Sequence, residues 1–377
     1  MRIFQIIESS TNTLIPGNKT WYRNLYEPLV EMGHDVFLFP ANEGRLAMGE
    51  DVNNLRAKFS QKLLEVFRAE HKKRPFSLVF AYLMDGMIDP SVIDEFKKAG
   101  PVTCNFSCNN AHQFYLVDEL SPHFDFNLHS EKFVSDKFTE IGAEPLWWPM
   151  ASNPNYFKPV NVSRDIGVSF VGANYAKRAI YLNYLLANGI DTHVFGPGWV
   201  NNKTSFRKFL SRAKLITNTL FALGAENESI ASSYLADYDF KNNFCSKYSS
   251  NLYRPVSDDY LIELYSKSQI SLGFLEVYDD HNPGKPVLQH LHLREFEAPM
   301  CGALYFTGYT DELCEMFTPD KEVIVYRNEY ELLDKVKYYL THPKQAQEIR
   351  DNARKRALAD HTYQIRYTRL FKHLGLS

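Results

Sequence analysis

The run Arg294-Glu295-Phe296-Glu297-Ala298-Pro299-Met300-Cys301-Gly302-Ala303-Leu304-Tyr305-Phe306 places a cation and two acids just ahead of an apolar stretch. Residues 304–306 read as a short buried strand, and Gly302 lets the chain turn sharply into it. Residues 293–300 read as one or two helical turns, in which Pro299 is tolerable only near a first turn. A carboxylate at the start of a helix that opens onto a crevice can accept hydrogen bonds from ligand hydroxyls. Glu297 is therefore the first candidate, with Arg294 and Glu295 beside it.

On either side of this run the chain alternates short apolar strands with helical patterns, the signature of parallel α/β sheets. Residues 2–8 read as a buried strand. A polar loop follows, then a helix from Thr20 to about Met32, then Gly33-His34 and a strand over 35–39, which together make a Rossmann-like opening. Further strands are expected at 78–82, 101–106 and 124–129, and helices at 53–73, 90–99 and 131–141. The strand at 101–106 runs into Ser107-Cys108-Asn109-Asn110-Ala111-His112. Ligands of doubly wound sheets bind beyond the carboxyl ends of strands. His112 is accordingly a candidate base or sugar-hydroxyl contact, with a surface cap as its bland reading.

Prolines at 145, 149, 154 and 159 mark a stiff crossover and a domain boundary near 155–163. The expected organisation is a first domain over 1–158, a second over 159–360 with an insertion at about 200–250, and a terminal helix over 361–377. The second domain opens with a strand over 165–171. It runs into Gly172-Ala173-Asn174-Tyr175-Ala176-Lys177-Arg178 and a helix to about Ala187. A glycine turn, a helix start and two cations suit a phosphate, which makes Gly172, Lys177 and Arg178 candidates. Strands are expected at 192–196, 252–256, 269–275 and 322–326. Ser257 is placed to cap a helix over 258–266. Tyr253 and Arg254 are candidates for base stacking and edge contact, and Gly284 and Lys285 for close backbone approach and a phosphate. Lys203, Arg207, Lys208, Arg212 and Lys214 share a stretch with apolar residues at helical spacing, and no acid occurs between Asp191 and Glu226. A helix over 203–221 would suit an anionic membrane face, or would dock on the second domain with its basic side solvated.

The chain has 377 residues, 45% of them hydrophobic, enough for two cored domains. A net charge of -3 argues against wholesale nucleic-acid binding. Five cysteines without framework spacing point to a reducing compartment. Residues 1–7 are too short for a secretory h-region, and no run reaches the ~20 apolar residues a membrane span needs. A cytoplasmic protein is expected, with peripheral contact at the inner membrane face through 203–221.

Glu297-Ala298-Pro299-Met300-Cys301-Gly302 resembles the Glu-Ala-Met-Ala-Cys-Gly signature of GT-B glycosyltransferases of the group 1 family. Arg294-x-Phe296-Glu297, with His361-Thr362-Tyr363 and Arg366, is similar to the CgeB-like, spore-maturation-type members. The resemblance implies two Rossmann-like domains facing a cleft and a terminal helix returning to the first domain. It implies a nucleotide-sugar donor held on the second domain, with Glu297 on the donor ribose, and a glycan or lipid-linked acceptor on the first. It also favours a retaining transfer. No Asp-x-Asp motif lies in a fitting loop, so no metal cofactor is expected. The family often carries a second Glu eight residues upstream, where this chain has Gln289. That role passes to Glu295, His290 or His292, or amides hold the sugar. His112 and Glu295 are taken as the catalytic candidates. The rival readings are a sugar-nucleotide epimerase or hydrolase on the same fold, a non-catalytic sugar-nucleotide binder, and a transferase directed at nucleic acid.

Overall fold

A computed structural model describes residues 1–9, 19–48, 54–200, 228–278 and 288–376. The chain divides into two compact units, each with its own core.

The first unit comprises Met1–Lys158, His290–Met300 and Arg354–Ser377. Its strands are β1 (Arg2–Ile7), β2 (Asp35–Pro40), β3 (Leu78–Ala81), β4 (Val102–Ser107), β5 (Phe126–His129) and β6 (Pro145–Trp147). They form one parallel sheet in the order β2-β1-β3-β4-β5-β6. Alternation along β1 feeds both faces, as a doubly covered sheet requires. Phe4 and Ile6 pack with Phe67 and Phe96 on one face. Ile3 and Ile7 lie on the other, with Tyr363, Tyr367, Leu370 and Phe371 of the last helix, Tyr363–His373. Arg366 of that helix donates to the carbonyls of Pro149 (2.9 Å) and Met150 (3.2 Å), which fixes the stretch leaving β6.

The second unit comprises Pro159–Gln289 and Cys301–Ala353. Its strands are β7 (Ile166–Val171), β8 (Thr192–Phe195), β9 (Leu252–Tyr253), β10 (Ser268–Leu272), β11 (Glu276–Val277), β12 (Leu288–Gln289), β13 (Tyr305–Gly308) and β14 (Ile324–Tyr326). Six of these form a parallel sheet, β14-β13-β10-β7-β8-β9, and β11 pairs antiparallel with β12. Counted from β7, this is the order 3-2-1-4-5-6 of dinucleotide-binding sheets, and the strand order reverses between β7 and β10. The half-buried Arg164 guanidinium donates to the carbonyls of Ser266, Ser268 and Gly302, tying three connections together.

Some expected elements hold and others differ. The helix expected to open at the end of the run 172–178 is Arg178–Ala187, and Ala176 at φ +48° keeps the preceding loop non-helical. The helix expected over 131–141 is a 3-10 turn, Lys132–Val134, followed by Ser135–Glu140. Pro299 lies inside the helix Arg294–Met300, past its first turn, and the helix ends one residue later, as a proline that removes an i→i−4 bond there would dictate. The supposed insertion is in part core: the helix Glu228–Lys247 supplies Phe244 and Cys245 to the second unit's interior. The basic stretch 203–221 lies outside the described residues.

Candidate functional site

In the second unit the strand-order reversal brings together the loops that leave β7 and β10. Gly172 follows β7 directly. Its N–H donates to the Phe195 carbonyl (2.8 Å), and its own carbonyl accepts the Trp199 indole N–H (2.6 Å). Gly196, at φ +144°, lies so close that a Cβ there would stand 2.1 Å from the Gly172 oxygen. Gly196 is thus demanded by backbone contact and Gly172 by the Phe170 ring, 2.6 Å from where its Cβ would stand, and the Gly172 amide serves the loop itself rather than a phosphate. The β7 loop is locked to the β10 loop by Tyr175. Its hydroxyl donates to the Tyr278 carbonyl (3.2 Å) and accepts the Tyr278 N–H (2.9 Å). Arg178 is buried and donates to the Ala173 carbonyl (3.2 Å), bracing the loop, whereas Lys177 at the helix N-cap is exposed. The helix Arg178–Ala187 presents its N-terminus here, where backbone amides and Lys177 favour an anion.

Glu276, at the end of the β10 loop, is buried and accepts the Tyr181 hydroxyl at 3.1 Å. Burial, with Glu276 beside it, drives the Tyr181 phenol well above its ordinary range, so it stays a donor. Phe274 and Tyr326 pack on the Tyr181 ring, and the Tyr326 hydroxyl donates to Gly273 (2.6 Å). Tyr253, on edge strand β9, stacks on Phe195 (4.7 Å between centroids) and His193 (5.5 Å), while Arg254 is exposed. Gly284 and Lys285 lie outside the described residues.

The first unit holds a second concentration of chemistry, beyond the carboxyl ends of β4 and β5. His112 sits in the short helix Asn110–Gln113, opened by Asn109 in the left-handed region (φ +65°). Its ring stacks on His290 (5.5 Å), and His290 packs on His292 (4.4 Å). Glu131 is 1% exposed and accepts the Ser130 hydroxyl (3.0 Å), with the Asn109 and Asn110 amides near enough to favour its charge. Its Oε1 lies 3.8 Å from His290 Nδ1. Burial raises the Glu131 carboxyl above its ordinary value, and nearby hydrogen-bond donors only partly oppose this. Next to it, burial lowers His129 to about 4, although its Nδ1 lies 3.0 Å from the Glu131 carbonyl. A buried carboxyl beside imidazoles is an arrangement that can pass or hold a proton.

The helix Arg294–Met300 belongs to the first unit. The Glu295 carboxylate accepts the His292 N–H at 2.6 Å, which caps the helix start. Glu297 is buried and close enough to Tyr363 to raise that hydroxyl further, after burial itself. Phe296 packs on His361 (5.4 Å), and Arg294 is half-buried. The structure therefore brings His112, His290, His292 and Glu295 into one unit and places Gly172, Lys177, Arg178, Tyr253 and Arg254 in the other. Glu131 and Glu276 escape sequence reasoning. The only hint of Glu131 is its position just after β5, and nothing local marks Glu276.

Residues 230–372 match the family model of glycosyl transferase-like proteins. No curated protein matches the chain. Among solved structures, sucrose-phosphate synthase from Thermosynechococcus elongatus superposes with a TM-score of 0.60 at 14% identity, covering 99% of both chains. A glycosyltransferase from Rickettsia africae gives 0.60 at 12% identity, covering 99% of this chain and 97% of its own. HepE from Anabaena, solved with UDP-glucose, gives 0.55 at 12% identity, covering 99% of each chain. With its two parallel six-stranded sheets and their helices, the fold is α/β of GT-B type.

Proposed function

We propose that this chain is a glycosyltransferase that moves a sugar from a nucleotide-sugar donor to a hydroxyl acceptor. The observation that supports it best is where the glycosyl transferase-like match falls. Residues 230–372 contain the β10 loop, the run 294–302 and the last helix. The donor class proposed first is a UDP-sugar, since HepE is a structural neighbour solved with UDP-glucose. The diphosphate would lie at the start of the helix Arg178–Ala187, with Lys177 supplying charge and Arg178 holding the loop. Tyr253 keeps its expected place beside the base.

Transfer breaks the bond between the sugar's anomeric carbon and the diphosphate oxygen, and forms one to the acceptor oxygen, which loses its proton. His112, packed on His290 with Glu131 behind, is the proposed proton-handling group. Glu295 is proposed as the positioning residue that fixes His292. Glu297 keeps the ribose role that the resemblance implies, Arg294 a supporting one, and Gly284 and Lys285 remain donor-side proposals. A CgeB-like subgroup, a retaining outcome, independence from metal and a glycan or lipid-linked acceptor complete the reading.

The test is titration calorimetry with UDP, GDP and ADP and their glucose conjugates, followed by a release assay with the tightest binder. Binding with nucleotide release that depends on acceptor supports transfer. Turnover of the donor without any acceptor would point to an epimerase or hydrolase. Binding without turnover under any acceptor would leave a sugar-nucleotide binder.

A further inference from the structure

Glu276 carries an unfinished bond. Its side chain is 6% exposed. One carboxylate oxygen, Oε1, takes the Tyr181 hydroxyl at 3.1 Å. The other, Oε2, is buried with no hydrogen-bond partner among the described residues. The carboxylate cannot easily turn away. Its strand β11 is pinned to β12 through the Glu276–Gln289 pair, and Tyr181 is wedged between Phe274 and Tyr326. A buried charged acceptor left half-satisfied weakens the fold, and a group of this kind calls for an explanation.

Its place supplies one. Glu276 ends the β10 loop, and Tyr181 stands one turn into the helix that follows the β7 loop. The carboxylate therefore belongs to the point where strand order reverses, where sheets of this order receive their ligands. We propose that Oε2 of Glu276 accepts a hydroxyl of the bound nucleotide sugar, making Glu276 a donor-recognition residue. This inference rests on the nucleotide-sugar reading above.

The chemistry selects the part of the ligand. A carboxylate oxygen accepts hydrogen bonds and sits poorly beside the diphosphate, so the group facing it is a neutral hydroxyl. Nucleotide sugars offer two sources, the ribose diol and the sugar itself. Charge-assisted bonds of this kind are short and geometrically demanding, which gives selectivity as well as affinity. The Tyr181 hydroxyl holds the carboxylate in one orientation, so Tyr181 is a positioning residue.

The experiment is calorimetry on the full chain with UDP, 2′-deoxy-UDP and UDP-glucose, GDP-glucose and ADP-glucose run in parallel, for wild type and Glu276→Gln. The melting temperature of each unliganded protein is measured alongside. The expected result is binding of UDP-glucose weakened roughly tenfold or more, with the unliganded melting temperature unchanged or raised. A loss shared by UDP but absent for 2′-deoxy-UDP assigns the bond to ribose. A loss confined to the sugar conjugate assigns it to the sugar. Unchanged affinity for every probe in folded Glu276→Gln overturns the inference. So does a fall in unliganded stability that accounts for the binding loss, since that marks a structural role. Wild type that binds none of the probes overturns the nucleotide-sugar reading itself, a failure visible without any variant. Should Glu276→Gln not fold, Tyr181→Phe leaves the carboxylate in place but unanchored. A smaller loss for UDP-glucose is then expected, and none would overturn the proposal.

Discussion

His129 and Asp85 respond to pH in opposite directions. Burial holds His129 at about 4, against about 6.5 in an unfolded chain. Between those values the unfolded chain binds a proton that the folded one refuses, so stability is lost as pH falls through this window. The full effect is about 3 kcal/mol. Burial, with Asp118 nearby, pushes Asp85 up to about 6. Its folded pKa lies above its unfolded one, so its contribution falls as pH rises from ~4 to 6. Glu131 shares that sign. The wild-type profile mixes these contributions, and only a difference isolates His129. His129→Asn is expected to be less stable at neutral pH, because packing and the Ser135 contact (3.1 Å) are lost. The gap should narrow by up to about 3 kcal/mol between pH 6.5 and 4, followed by urea denaturation. A constant gap would show that His129 titrates normally. None of this was legible in the sequence. His112 stood out because it follows a strand directly. Glu131 reads as the start of a helix, and its burial depends on amides at 109–110 and on His290, remote in the chain. Glu276 depends on Tyr181, 95 positions away.

The elements themselves were far more visible than their junctions. Strands β1, β7, β10 and β13 read as apolar runs, and Ser257 caps its helix as its position suggests, accepting the Tyr260 N–H (3.3 Å). The junction after β7 has its helix where the sequence places it, but the close approach of Gly172 to the β8 loop is a tertiary contact that periodicity does not show. That contact yields a paired prediction. Gly189 at φ +77° has open space around its missing Cβ, so Gly189→Ala should cost about 1 kcal/mol of backbone strain. Gly196→Ala must also clear the Gly172 backbone, and should cost more than about 3 kcal/mol while abolishing nucleotide binding. Urea midpoints of the two variants decide the matter. Equal costs would mean that the Gly172–Gly196 approach does not persist in solution.

At the scale of the molecule, the first unit is assembled from three separate stretches of chain, and its last stretch comes after the whole second unit. Aromatic spacing over 361–374 made the terminal helix legible, but not how much of a core it would carry. Tyr363, Tyr367, Leu370 and Phe371 are buried against β1, β3 and β4 residues, and the Tyr367 hydroxyl reaches the Leu25 carbonyl at 2.8 Å. Burying such side chains contributes roughly 1.5–3 kcal/mol each, so the four together match much of a domain's ~5–15 kcal/mol. Removing residues 361–377 should therefore unfold the first unit or leave it without cooperative structure. The second unit draws its core from Pro159–Gln289 and Cys301–Ala353 and loses no residue to this deletion. Hydrogen exchange on the truncated chain should show amides of β1, β3 and β4 stripped of protection, while those of β7, β10 and β13 keep theirs. Retained protection in β1 would mean that the helix merely decorates a sheet that stands without it. Loss in both sheets together would mean that the two units fold as one cooperative body.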